Sequence, residues 1–529
     1  MYSLLRVVLV GVDSIQTSAS GRTTVSGQSR AFRLFSGWSA SLVQMVLGVT
    51  QQVALVPFFL HFWNSETLAA WLVIYAVGNL VLIADGGLQL RAINRFLTFK
   101  SGVDCDGRTA SFYAGLRRLY FSLAVLFAML VLVVTWLVPP STILRFQAIP
   151  DFDAAFVIMS VGILLTLPSG LVAGLYRARG LYGRAIWLQS SATLVGQVGQ
   201  LVAIAVTGNV VAVAIAYVVP QMLIAAYFLT IDAPRQFPSL HNAGLKPSPR
   251  WAIGQLAKAA PFGIAGATEL ALLNLPLLLV SALVSDRVAV AQWGLTRVAA
   301  GLLRALCVLI TLPLAAELGH DQAVGAKDRL RDLYARGSVF VALLASIVVS
   351  GLLPFWQDFF ALWTHGTIPH DPMLTITLLI GTSAVAPTIL ASSFANYSNR
   401  GGLLARAKSL QLAIFLILSL LLIPSFGPLG AAAAIVTSDL VVQFGVLTPV
   451  IMGQTLQHVF RHVSFLAAIM IATTLSGWGL GLAIRSALSS TGPAGFATEC
   501  ALWLVAIALA ASPLAIRSLR AWLIARIPR

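Results

Sequence analysis

Fourteen stretches of mostly apolar residues run through the chain, each near the roughly 20 residues that an α-helix needs to cross a bilayer. They fall at about 37–61, 66–84, 117–138, 154–176, 183–206, 210–230, 260–284, 288–313, 337–356, 373–395, 404–424, 428–450, 463–484 and 497–516. Spans 5 and 6 are divided by Gly208-Asn209, and spans 11 and 12 by Pro424, Gly427 and Pro428. These are strong breakers, and either pair merged is too long for one helix. Composition agrees with this reading. The chain is 58% hydrophobic with a mean hydropathy of +0.89, and Asp, Glu, Lys and Arg make up only 10% of its 529 residues. Soluble domains carry roughly a quarter. A cytosolic enzyme, a secreted domain and a disordered scaffold are excluded, and an all-α integral membrane protein remains.

The charges orient the spans. Of 34 Lys and Arg residues, 29 fall on one side of the count, in 1–36, 85–118, 177–184, 235–258, 327–336, 400–408, 461 and 517–529. Three (Arg145, Arg287 and Arg485) fall on the other side, and two (Arg297 and Arg304) lie inside a span. Cytoplasmic loops collect Lys and Arg, so both termini are expected in the cytoplasm. The formal net charge of +16 is then an inside bias and not a nucleic-acid footprint. The three cysteines (Cys105, Cys307 and Cys500) form no disulfide framework or metal motif.

Two basic-side stretches read as amphipathic helices lying on anionic lipid. One sets Leu88, Ile93, Phe96 and Leu97 against Arg91, Arg95 and Lys100. The other sets Leu330, Leu333 and Tyr334 against Lys327, Arg329, Arg331 and Arg336. They follow spans 2 and 8, six spans apart. Ser65-Glu66 then Trp71, and Ser285-Asp286 then Trp293, also recur at that shift. The expected organisation is a cytoplasmic, disordered tail at 1–36, a six-helix half at 37–230, a proline-bearing linker at 231–258, a second six-helix half at 259–450, and two extra helices with a basic tail at 451–529. The two halves are pseudo-symmetric about an axis along the membrane normal, a known transporter plan.

The run Pro57-Phe58-Phe59-Leu60, then Trp71, then Ala84-Asp85-Gly86-Gly87-Leu88 with Ala92 and Arg95-Phe96, resembles the opening of the Wzx-type polysaccharide-biosynthesis flippases. These form the O-antigen and exopolysaccharide branch of the multidrug/oligosaccharidyl-lipid/polysaccharide exporter superfamily. Leu167-Pro168 leading to Gly174-Leu175 and Gly180 resembles that family's span-4 exit. Asn399-Arg400-Gly401 and Pro424 through Gly427-Pro428-Leu429-Gly430-Ala431-Ala432 resemble its span 10–12 region. The likeness covers about 37–450. The front extension and the second glycine of Gly86-Gly87 depart from the family pattern. The resemblance implies a translocase of undecaprenyl-diphosphate-linked oligosaccharide in the bacterial cytoplasmic membrane, working by alternating access. Its implied partners are the polymerase and glycosyltransferases of the same pathway, beside the anionic membrane lipids expected from the basic amphipathic stretches.

Such a cargo needs a polar cavity with cations for its diphosphate, because a desolvated anion crosses hydrocarbon only at great cost. Arg297 and Arg304 lie seven residues apart, so they share one helix face about 10 Å apart, with Gly301 between them. They are the expected substrate ligands. An ion pair holding spans 7 and 8 together is the alternative, with Glu269 and Asp439 as partners. Those carboxylates are the coupling or ion-pair candidates. Gln44 and Gln51 of span 1 share a face and are expected to line the cavity. Like Gln52, Asn79, Gln189, Gln197 and Gln200, they either bond sugars or tie helices together. Asp85 and Arg95 mark a cytoplasmic gate, although Asp85 also suits capping of the Gly86-Gly87 turn. His458 with His462, and His365 with His370 and Asp371, are weak metal candidates, and no metal or cofactor is expected. Gly170 and Gly174 suit close helix packing. Trp63, Trp136, Trp356, Trp363 and Trp478 read as interface anchors. A cation-coupled multidrug antiporter on the same fold is the first alternative. A membrane polysaccharide polymerase or ligase is the second, but no large outer loop, paired carboxylates or phosphate loop supports an enzyme.

Overall fold

The computed structural model describes residues 42–99, 107–179, 181–238, 240, 248–398, 400–488 and 492–512. The expected tail at 1–36 and the basic tail at 517–529 lie outside these. The described chain holds 14 helices long and apolar enough to cross a membrane, and no strand. We number these spans α1 (Leu42–Phe62), α2 (Ser65–Asp85), α3 (Arg108–Leu137), α4 (Phe152–Ala178), α5 (Tyr182–Thr207), α6 (Val210–Gln236) and α7 (Pro249–Leu283). They continue as α8 (Arg287–Val324), α9 (Lys327–Trp363), α10 (Pro372–Tyr397), α11 (Gly401–Phe426), α12 (Pro428–Thr455), α13 (Val459–Leu488) and α14 (Gly492–Ala511). Short polar residues start several of them. Asn64, Asn209, Ser248, Asp286 and Asp371 accept bonds from the first free backbone N–H groups.

Packing repeats at a shift of six. The pairs α1·α2, α1·α5, α2·α4, α3·α4, α4·α5, α4·α6 and α5·α6 recur as α7·α8, α7·α11, α8·α10, α9·α10, α10·α11, α10·α12 and α11·α12. Two pseudo-symmetric six-helix bundles result. The additional α13 and α14 pack on α9, where Trp503 donates to the Gly477 carbonyl at 3.0 Å. The halves meet through α2 against α7 and α8.

We call the end carrying Arg91, Arg95, Arg117 and Arg329 the basic end, and its opposite the far end. The apolar core is continuous between the halves at the far end, where residues of α1, α2, α4 and α6 join those of α7 to α12. At the basic end it divides into one cluster for each half. Polar latches reinforce the far seal. Trp363 donates to the Val53 carbonyl at 2.7 Å. Ser281 and Arg287 both donate to the Leu144 carbonyl, at 2.8 and 3.0 Å. Trp63, Trp356 and Trp363 are therefore buried in protein and are not interface anchors, whereas Trp136 is exposed.

The helix α7 belongs to both halves. Ala259 packs in the N-terminal basic-end core, with Trp251 against Phe112, while Leu277 and Val280 lie in the shared far-end core. Pro261 and Pro276 interrupt its backbone bonding between these regions. It begins at Pro249, so the described residues of the expected linker at 231–258 are mostly helical.

The two amphipathic stretches differ from expectation. Leu88–Phe99 is a separate helix, but Leu88, Ala92 and Phe96 are buried against the protein, and only Leu90 and Leu97 are exposed apolar positions. Its Ile93 fits against Gly174 and its Gln89 against Gly170. Residues 327–336 form no separate helix. They are the first turns of α9, with Leu330 and Tyr334 in the core.

The helix Leu88–Phe99 is entered through a left-handed turn at Gly86 and Gly87, with φ of 56° and 77°. A Cβ on Gly87 would lie 2.3 Å from the Gly263 nitrogen in α7. The second glycine is thus a point of close backbone contact between the halves at the basic end. Gly87→Ala adds about 1–2 kcal/mol of left-handed strain to that collision. It should lower the thermal unfolding midpoint and raise maleimide labelling of an Ala259→Cys reporter. Unchanged values for both would mean that the contact is absent.

Candidate functional site

The charged residues inside the spans converge on the C-terminal half. Glu269 of α7 bridges two cations. Its Oε1 accepts from Arg304 of α8 at 2.7 Å, and its Oε2 meets Lys408 Nζ of α11 at 2.8 Å. Asp439 of α12 lies 3.9 Å from the same Arg304 and accepts a bond from Gln411. Gln443 donates to Gln411 at 3.3 Å, and Ser392 of α10 donates to Gln443 at 3.2 Å. Five helices of one half therefore share a single polar network. The widened π-helical turn Leu440–Leu447 follows Asp439 directly and contains Gln443. Lys408 is buried, whereas the side chains of Arg304 and Glu269 keep 29% and 37% of their surface open.

Arg297 stands outside this network. It lies two turns from Arg304 toward the far end, ten residues into α8, so it sits about 15 Å from the helix start and near the middle of a bilayer. Its guanidinium donates to the Leu273 backbone carbonyl, and among the described residues no carboxylate pairs with it. The next turn of α8 is Gly301, which has nothing within 4 Å of where a Cβ would stand. Among the described residues, three mid-span cations against two carboxylates leave one positive charge.

The remaining sequence candidates lie elsewhere. Gln51 exchanges amide bonds with Gln200 of α5 at 3.2 and 3.4 Å, and Gln197 donates to the Leu47 carbonyl. These amides tie α1 to α5, so Gln51 does not face open space. Gln44 is exposed in the first described turn of α1. Asp85 accepts from Tyr120 at 2.6 Å and from the Gln89 backbone at 3.4 Å, which orders the Gly86-Gly87 turn against α7. Arg95 stacks on Phe99 at 4.9 Å, and burial beside Arg95 lowers the pKa of Arg91. His462 bonds Ser338 and His370 bonds Thr375.

Lys408 follows Arg400 and Arg406, so in sequence it reads as part of a basic loop. Yet the apolar run at 404–424 already contained it. Asp232 was also missed. It is buried and accepts from Tyr176 and from Arg184 at 2.5 Å, clamping α4, α5 and α6 at the basic end.

No protein-family model and no curated protein matches the sequence. Solved structures do. The lipid II flippase MurJ in an inward closed conformation aligns with a TM-score of 0.65 over 91% of this chain and 99% of its own, at 13% identity. The fold is that of MurJ. An inward-facing multidrug resistance MATE family transporter of the MOP superfamily gives 0.59 over 83% of this chain and 99% of its own, at 14% identity. An outward-facing MATE gives 0.52 over 82% and 97%, also at 14%. Within the MurJ-like fold, the network joins α7, α8, α10, α11 and α12, and Arg297 faces the junction of the halves.

Removing one partner from a buried ion cluster strands the other charge, at a cost reduced here by the partial exposure of Glu269. Lys408→Met should therefore destabilise by about 2 kcal/mol, read as a lower unfolding midpoint in detergent. Lys408→Met with Glu269→Gln should cost less than the sum of the two single losses, with Arg304 left to the more distant Asp439. Additive losses would show that Lys408 and Glu269 act independently.

Proposed function

We propose that the protein is a flippase that carries an undecaprenyl-diphosphate-linked oligosaccharide across the bacterial cytoplasmic membrane for O-antigen or exopolysaccharide synthesis. It moves its cargo and does no chemistry on it. The observation that carries this reading is Arg297, a mid-span cation with no carboxylate partner among the described residues, beside the open face of Gly301. An arginine at mid-bilayer costs about 2.5–3.5 kcal/mol on the lenient insertion scale, so it is retained where an anion can meet it. Its planar fork suits a diphosphate.

The basic end is cytoplasmic, with both termini inside, and it is the loading side. Two findings support this: the apolar core is shared at the far end and split at the basic end, and positive residues collect inside. The headgroup enters between the halves while the prenyl tail stays in lipid. As the diphosphate approaches, it competes with Glu269 for Arg304 and Lys408. The released Glu269, with Asp439, then takes up the coupling proton or cation. The halves rock, and the headgroup leaves at the far side. The protein acts after the glycosyltransferases that build the lipid-linked unit and before the polymerase that consumes it, with anionic lipids around its basic end. A multidrug antiporter requires an acid free to hold a cationic drug. Both mid-span acids are already neutralised by Arg304 and Lys408, which favours an anionic cargo.

The purified protein should bind undecaprenyl diphosphate and not ethidium. Arg297→Gln should weaken that binding at least tenfold, the worth of one charge-assisted hydrogen bond, while the unfolding midpoint stays near wild type. Tight ethidium binding without prenyl-diphosphate binding would replace this reading with the antiporter.

A further inference from the structure

The wall that faces Arg297 comes from the N-terminal half. Along α2, Leu72, Tyr75, Asn79 and Leu82 form a half-buried stripe at helical spacing, beside the fully buried Trp71, Val73 and Ile74. Leu72 presses on Gly294 of α8, where an added Cβ would meet its Cδ1 at 2.8 Å. Both helices run from the far end toward the basic end. Stepping down α2 from Leu72 to Tyr75 and Asn79 therefore matches stepping down α8 from Gly294 to Arg297 and Gly301. The seam is closed at Leu72–Gly294 and open at the level of Gly301. Tyr75 lies near enough to Arg297 for an ionised phenol there to be coupled to the guanidinium. Its ring packs edge-on against Tyr217 of α6, with centroids 5.6 Å apart and planes at 67°. Both rings keep exposed surface.

A pyranose presents C–H bonds of partial positive charge on one face and hydroxyl or amide groups at its rim. The negative face of an aromatic ring meets the first, and an Asn amide can both donate to and accept from the second. In a diphosphate-linked glycan the first sugar is bonded directly to the phosphate, so it must lie beside whatever cation holds that phosphate. We propose that Tyr75 and Tyr217, with Asn79, form the subsite for the first pyranose of the cargo, next to Arg297. This rests on the reading of the cargo as a lipid-linked sugar. The tyrosine wall is then the part of the site that distinguishes a sugar-bearing lipid from a bare prenyl diphosphate.

The test uses the full chain in nanodiscs and two probes, undecaprenyl diphosphate and undecaprenyl diphosphate linked to N-acetylglucosamine. Wild type should prefer the sugar-bearing probe. Tyr75→Leu and Tyr217→Leu should each reduce that preference roughly three- to tenfold, the range of one aromatic contact, and leave undecaprenyl diphosphate within about twofold. Tyr75→Phe, which keeps the ring, should retain most of the preference, and Arg297→Gln should weaken both probes. Asn79→Ala gives a second readout that keeps both rings, and should cost affinity only for the sugar-bearing probe. Equal loss of both probes in the ring variants, no loss in any variant, or a wild type that binds both probes alike overturns the subsite and leaves the cargo reading standing. A wild type that binds neither probe overturns the cargo reading, and the subsite with it.

Discussion

The bridging carboxylate of Glu269 is the interaction on which the C-terminal half depends. Hydrocarbon offers no water to an unpaired charge, and a charge stranded there costs several kcal/mol. Arg304 and Lys408 enter that region from two different helices, and Glu269 on a third answers each with a separate oxygen. Asp439 adds a more distant counter-charge, held by Gln411. The four helices α7, α8, α11 and α12 are pinned together at mid-depth by charge as well as by apolar packing. Arg297 receives no such answer. The half is stabilised by a cluster near neutrality and carries one cation beyond it.

Polar groups elsewhere in the spans follow a related rule. Three π-helical turns interrupt the spans, Thr50–Ala54 in α1, Phe228–Asp232 in α6 and Leu440–Leu447 in α12. Each contains a buried polar side chain bonded to a neighbouring span: Gln51 to Gln200, Asp232 to Tyr176 and Arg184, and Gln443 to Gln411. A π turn inserts a residue and rotates the helix face beyond it. That rotation presents one polar residue to a neighbour without shifting a long apolar helix bodily. α6 and α12 are equivalent spans of the two halves, so the device recurs at the six-span shift. Asp232 clamps the basic end of one half, and Gln443 connects to the charge network of the other.

The span count and the six-span repeat were legible because apolar runs and breakers report directly on what can cross a bilayer. Helix length was less legible. α7 starts at Pro249 and α8 continues to Val324, because a polar extension past the membrane leaves no hydropathy signal. Glu269, Arg304 and Asp439 stood out as charges in apolar surroundings, and they form one network. Lys408 did not stand out, because neighbouring loop arginines masked it. Tyr75 and Tyr217 carry no signal of their own, since a tyrosine in an apolar run has no distinguishing neighbour in sequence. Tryptophan position misled for a similar reason. The same residue at the end of a span serves as a lipid anchor at Trp136 and as an interhelical latch at Trp363, and only the packing partner separates the two.

The division of labour between the halves bears on release. Arg297, Arg304 and Glu269 all sit on α7 and α8, Arg304 fixed by the bridging carboxylate and Arg297 by the Leu273 carbonyl of α7. Tyr75, Asn79 and Tyr217 sit on α2 and α6. The boundary between the two groups is the seam closed by Leu72 against Gly294. If the halves rock as proposed, that seam must open for the far side to be reached, and α7 must flex between its N-terminal anchor at Ala259–Gly263 and its far-end core at Leu277. Pro261 and Pro276 bracket that stretch. Opening then withdraws the tyrosine wall from the arginine while the arginine keeps its own neighbours. A headgroup gripped on two sides when the seam is shut is held on only one when it parts. The grip weakens with the motion that exposes it, as delivery across a membrane requires.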